Sequence, residues 1–168
     1  GTSSYIDLPN GSVFDLGFSF TLQAWVNLDN TTGSRKVVGT DDFGFQTSDY
    51  AGANIGLGNA TNIANSAIGD GSGTGPDSRR SYNTTNSIAV DEWTQITATF
   101  DGVTTREIFL NNTSETLTNS GTAVAMNYNS SEAFVGYLMN GDIDEVRMAS
   151  TSLSDAWISA EYTNQSTT

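Results

Sequence analysis

An all-β fold is what this sequence predicts, and three observations carry the prediction. Thr, Val, Ile and aromatic residues dominate the patterned segments, and these types pack well on a pleated, half-buried surface. Residues that favour helix are scarce, with one Lys (Lys36) and six Glu in 168 residues. The clearest periodic segment, Phe18 to Leu28, repeats every second residue: Phe18, Phe20, Leu22, Ala24, Val26 and Leu28 share one parity, and Ser19, Thr21, Gln23 and Asn27 take the other. Trp25 falls on the polar parity.

Shorter elements surround that strand. Ser4 to Leu8 reads as a strand closed by the turn Pro9-Asn10-Gly11, and Asp29 to Gly33 as a loop. Lys36–Gly39, Phe43–Gln46 and Ala53–Leu57 read as short strands between polar turns. Residues 58–78 show the least pattern, and their run Gly69-Asp70-Gly71-Ser72-Gly73-Thr74-Gly75-Pro76 is expected to be a long loop. Regular structure is expected to resume at Trp93–Phe100. The turn Asp101-Gly102 then leads to Arg106–Leu110, the turn Asn111-Asn112 and Ser114–Thr118, a meander with tight connections. Glu132–Leu138 and Asp142–Met148 complete about ten strands. Ser152 and Asp155 have capping-box spacing before a short helix with Leu153, Trp157 and Ile158 on one face. The expectation is one domain over residues 1–168, with 163–168 a flexible tail.

Composition restricts function. A net charge of −13 and a pI near 4.1 argue against nucleic acid and anionic membrane surfaces as partners, because both demand clustered Lys and Arg. The absence of His and Cys excludes a Ser-His-Asp triad, thiol chemistry and Cys- or His-built zinc sites. No apolar run reaches membrane-spanning length. The chain opens on Gly1 and not on methionine, which leads to the expectation of a processed or excised product.

Four segments, in order, resemble the laminin-G-like branch of the concanavalin A-like lectin and glucanase superfamily. Ser19-Phe20-Thr21-Leu22-Gln23-Ala24-Trp25-Val26 is similar to its "sFTisaWV" strand, and the run from Asp91 to Gly102 to its "gEWthvagtyDG" strand and turn. Ile108-Phe109-Leu110-Asn111-Asn112 stands in the place of "lYvNG", and Gly141-Asp142-Ile143-Asp144-Glu145-Val146-Arg147-Met148 in that of "G.IDEVRi". Leu153–Gln165 resembles the ending of members found in large prokaryotic surface proteins. The resemblance spans about residues 4–165. It implies a two-sheet antiparallel jelly-roll sandwich with a short C-terminal helix. It also implies that Asp144 helps hold a structural Ca²⁺, with carbonyls near Tyr5–Asp7 and Gly33–Ser34; Asp42, beside Asp41, and Asp70 are further metal candidates that turn chemistry also explains.

The superfamily's hydrolases carry Glu-x-Asp-x-x-Glu or a close variant, and no segment here matches it, so catalysis is not expected. Carbohydrate recognition needs exposed aromatic rings with hydrogen-bonding neighbours. Tyr50, Tyr82 and Tyr128 fall in expected loops, and Arg79-Arg80 beside Tyr82 is the basic pair suited to an anionic sugar. Trp25, Trp93 and Trp157 lie inside the matched segments and are expected to pack. Eight Asn-x-Ser/Thr sequons, at Asn10, Asn30, Asn59, Asn83, Asn111, Asn112, Asn129 and Asn164, stand against about four expected by chance from the Asn, Ser and Thr content. The function these features lead us to expect is an extracellular, non-catalytic glycan-binding or adhesion module at the cell surface, calcium-stabilised, with a carbohydrate or cell-surface glycoconjugate as partner. The alternative is a structural, self-associating subunit of a glycosylated surface appendage or coat.

Overall fold

The computed structural model describes residues 5–8, 12–33, 35–41, 49–58, 61–129 and 132–166. Its strands are β1 (Ile6–Leu8), β2 (Ser19–Leu28), β3 (Arg35–Gly39), β4 (Ala51–Leu57), β5 (Ile63–Asp70), β6 (Arg79–Ser87), β7 (Thr94–Asp101), β8 (Thr105–Leu110), β9 (Thr113–Ser114), β10 (Leu117–Ser120), β11 (Ala133–Val135) and β12 (Gly141–Ala149). One helix, α1 (Asp155–Ser166), follows. A seven-stranded sheet runs β1-β11-β3-β4-β5-β6-β10 and a five-stranded sheet β12-β2-β7-β8-β9, with every ladder antiparallel. This is the jelly-roll sandwich, and the period of two places its core. Phe20, Leu22, Ala24, Val26 and Leu28 of β2 face Ala53, Ile55 and Leu57 of β4 across the interior, joined by Ile96, Ala98, Phe100 and Ile108.

Two strands exceed the sequence reading. The stretch expected to be irregular contains β5, and the next ten residues hold β6, which places Arg79 and Tyr82 on a strand and not in a loop. Both strands are rich in Ser, Asn and Gly, so their periodicity is too weakly hydrophobic to read. The segment Phe43–Gln46 lies outside the described residues. At the far end, α1 continues through Thr163–Ser166, where a flexible tail was expected. Its first turn is capped by Ser154 and not Ser152: the Trp157 amide donates to Ser154 Oγ at 3.4 Å.

The outer face of the five-stranded sheet is polar yet buried, because α1 and the segment before it cover it. Thr21, Gln23, Gln95, Thr97 and Thr99 are all buried there. Gln23 Nε2 donates to Thr97 Oγ1 at 3.0 Å, Thr21 Oγ1 donates to the Thr151 carbonyl, and the Leu153 amide donates to Thr21 Oγ1. Phe109 and Ile158 are buried but stand outside the central cluster, which makes this a second, thinner layer of packing. At one end of the sandwich the Arg106 guanidinium lies 4.4 Å from the Phe100 ring and 5.0 Å from that of Tyr82, and burial pushes its pKa down to about 10.

Candidate functional site

The ladder between β12 and β2 shifts register between Asp144 and Arg147, a β-bulge that puts Glu145 at a φ of 50°. Asp144 pairs with Trp25, so its side chain shares the outer face of the sheet with that indole. Trp93 precedes β7 on the same parity as Gln95, which pairs with Trp25. Sequence alternation and one bulge thus bring two tryptophans and two carboxylates to one end of the face that α1 crosses.

The C-terminal end of α1 completes the site. Tyr162 stacks on Trp25 with ring centroids 5.6 Å apart and planes 15° from parallel. Gln165 Oε1 accepts hydrogen bonds from Trp25 Nε1 at 2.5 Å and from Gln95 Nε2 at 2.9 Å. Trp25, Trp93, Asp144, Glu145, Tyr162 and Asn164 line an open groove of about 690 Å³, a size that accommodates a small oligosaccharide. Trp93 is 44% exposed, with its indole available to a ligand. Trp157, on the other flank of α1, is 56% exposed. The expectation that all three tryptophans pack is therefore corrected for Trp93, which stands just before β7, and for Trp157, which belongs to α1 itself; both keep about half of their surface exposed.

Both carboxylates of the groove have protein partners. Asp144 Oδ1 accepts the Glu145 amide at 2.8 Å, and Glu145 Oε2 pairs with Arg147 Nη2 at 2.8 Å. Arg147 also pairs with Glu161 through Nη1 at 2.8 Å.

The four residues expected to bind carbohydrate are dispersed. Arg79 and Tyr50 come together, with the guanidinium carbon 5.9 Å from the ring centroid. Lys36 feels the same Arg79: burial, then the charge of Arg79, push its ammonium pKa down to about 8. Tyr82 packs against the core instead, and its hydroxyl donates to the Thr104 carbonyl at 2.8 Å. Tyr128 also packs inward; its hydroxyl accepts the Leu16 amide at 3.1 Å, and burial raises its pKa.

Of the metal candidates, Asp70 accepts the amide and hydroxyl of Ser72 in a local turn, Asp144 lies in the groove, and Asp42 is outside the described residues. Asp144 and Tyr5–Asp7 belong to the edges of different sheets, on and next to β12 and β1. Among the described residues no three Asp or Glu side chains gather into a metal-holding cluster.

The sequons at Asn10 and Asn59 lie outside the described residues. Several of the others carry turn chemistry. Asn111 and Asn112 have φ of 47° and 66° and form the hairpin turn between β8 and β9. Asn30 Oδ1 accepts the Thr32 amide, and Asn112 Nδ2 donates to Ser159 Oγ at 3.1 Å. Asn83 and Thr118 pair across β6 and β10, and the Asn129 amide donates to Asp41 at 2.7 Å. Asn164 is exposed at the groove.

Residues 1–159 match the family model of the concanavalin A-like lectin/glucanases superfamily. The chain belongs to that superfamily. No curated protein sequence matches this concanavalin A-like chain. Among solved structures, the binding domain of botulinum neurotoxin DC in complex with SialylT gives a TM-score of 0.62 at 15% identity, covering 95% of this chain and 39% of that one. A botulinum neurotoxin type C structure, described with cell entry dependent on two ganglioside molecules, gives 0.61 at 13% identity over 87% and 35%. A Bacteroides ovatus protein provisionally assigned as carbohydrate-binding gives 0.59 at 14% identity over 95% and 42%. The concanavalin A-like chain thus spans 35% to 42% of the length of these structures, and at such identities the likeness is one of fold.

Proposed function

We propose that this chain is an extracellular, non-catalytic glycan-binding module whose ligand lies in the groove beside α1. The observation that carries the reading is the exposed Trp93 indole next to the Trp25–Tyr162 stack, rimmed by Asp144, Glu145 and Asn164. A pyranose ring presents a flat C–H face to an indole and hydroxyls to carboxylates and amides, and this groove supplies both kinds of surface. Membership of a superfamily that includes lectins supports the reading, as do neighbours whose descriptions name gangliosides and carbohydrate. The sequons support an extracellular setting.

The non-catalytic part rests on the state of the two carboxylates. A glycosidase needs one protonated carboxyl facing a second across the scissile bond. Glu145 is exposed and held in an ion pair with Arg147, and its neighbour Asp144 accepts the Glu145 amide, so each carboxylate is engaged by the protein itself and not set opposite the other across a bond. Calorimetric titration of glycan-array binders tests the reading: Trp93→Ala lowers affinity at least about tenfold, and unchanged binding would overturn it. Incubation of the same oligosaccharides with the protein releases no new reducing ends.

Calcium is the separable part of the proposal. Among the described residues it rests on Asp144, and thermal melting with and without EDTA tests it. An unchanged midpoint removes the ion and leaves the groove as the binding site.

A further inference from the structure

We infer that the groove selects neutral sugars and rejects those carrying a carboxylate or sulfate; this rests on the glycan-binding reading above. The charges that line it are all negative. Asp144 and Glu145 stand at its rim, and no Lys or Arg is among its lining residues. The nearest cation along β12, Arg147, is occupied on both nitrogens of its fork, by Glu145 at 2.8 Å and Glu161 at 2.8 Å. An acidic sugar would need those pairs broken before it gained a bidentate partner.

The remaining lining groups suit an uncharged ligand. Asp144 and Glu145 offer acceptor oxygens to sugar hydroxyls, the Asn164 amide both donates and accepts, and the Trp93 face takes an apolar C–H surface. Like charges at close range are the repulsive element through which a site excludes the wrong partner. The net charge of −13 adds a long-range term against anions approaching any face. The cations Lys36 and Arg79 sit on the seven-stranded sheet, so they do not offset the groove's charge.

The test is a glycan array carrying neutral oligosaccharides and their sialylated and uronic-acid counterparts, followed by titration of matched pairs at low and moderate salt. Neutral members are expected to bind at least about tenfold more tightly than their acidic counterparts, with the gap narrowing as salt rises. Asp144→Asn is expected to narrow the gap by raising affinity for the acidic member; an asparagine there keeps an acceptor for the Glu145 amide, so the bulge survives. Acidic sugars binding as tightly as neutral ones would overturn the selectivity and leave the glycan reading standing. Binding of neither set would overturn both.

Discussion

Trp25 is held from two directions: its ring stacks on Tyr162 at 5.6 Å, and its Nε1 donates to Gln165 at 2.5 Å. It therefore joins the sheet to the last turns of α1, while Trp93 beside it keeps 44% of its surface exposed. The two tryptophans are expected to separate stability from binding. Trp25→Ala lowers unfolding free energy by about 2 kcal/mol, below the usual cost of a fully buried Trp because it is half-buried. Trp93→Ala changes stability by about 0.5 kcal/mol or less and lowers glycan affinity at least about tenfold. Urea melts and titration calorimetry on both variants check the split.

Ile158 anchors α1 to the outer face and is the one fully buried side chain of the helix. Ile158→Ala is expected to cost about 2–4 kcal/mol, because no other helix residue covers the same depth. Hydrogen exchange should show the Gln23–Thr97 face losing protection before the central core does.

A glycine is required where β5 passes Tyr50, the residue leading into β4. A Cβ on Gly69 would collide with the Tyr50 carbonyl carbon and oxygen. Gly69→Ala is therefore expected to break the pairing of Gly52 with Gly69 and to lower the thermal midpoint by well over about 5 °C. An alanine that melts like the parent chain would sink this account.

Lys36 gives stability a defined pH dependence. Its folded pKa of about 8 lies below the 10.5 of the free side chain, so the unfolded chain binds more protons between those values. Stability is therefore expected to rise from about pH 8 toward pH 10, by at most about 1.4 kcal/mol per unit. The burial cost of the cation is fully present below pH 8. Above pH 10 the raised pKa of Tyr128 acts in the opposite direction. Lys36→Met should flatten the rise in denaturant melts taken at successive pH values.

Asn164 both lines the groove and begins a sequon completed by Ser166. In a glycosylating host, an attached chain at Asn164 is expected to block sugar binding. Ser166→Ala removes the sequon while keeping the Asn164 side chain. It should restore affinity to that of protein made without glycosylation, as read by calorimetry beside intact-mass measurement.

The parts of this fold that were readable in the sequence are those whose burial is one-sided and apolar. β2, β7 and β12 announce themselves through alternation. β5 and β6 do not, because Asn65, Ser66, Ser81 and Asn83 give no hydrophobic contrast between the two faces. The groove was half legible. Trp25 stood on the polar parity, a sign that it faces outward, and Trp93 shares the parity of Gln95. What the sequence could not supply was α1 lying across that face, since Gln165 and Tyr162 meet Trp25 from about 140 residues away. Tyr82 and Tyr128 misled for the opposite reason: polar neighbours made each segment look like surface, while the sandwich turned both rings inward.

The bulge at Glu145 has a consequence for crowded surfaces. β12 is the longest strand at an edge of either sheet, with nine residues, and so offers the most backbone to a foreign strand. The register shift interrupts its row of donors and acceptors, and Asp142, Asp144, Glu145 and Arg147 place charge along it. The opposite margin of the same sheet ends in the two residues of β9. Both margins of this five-stranded sheet are therefore poor templates for a foreign strand.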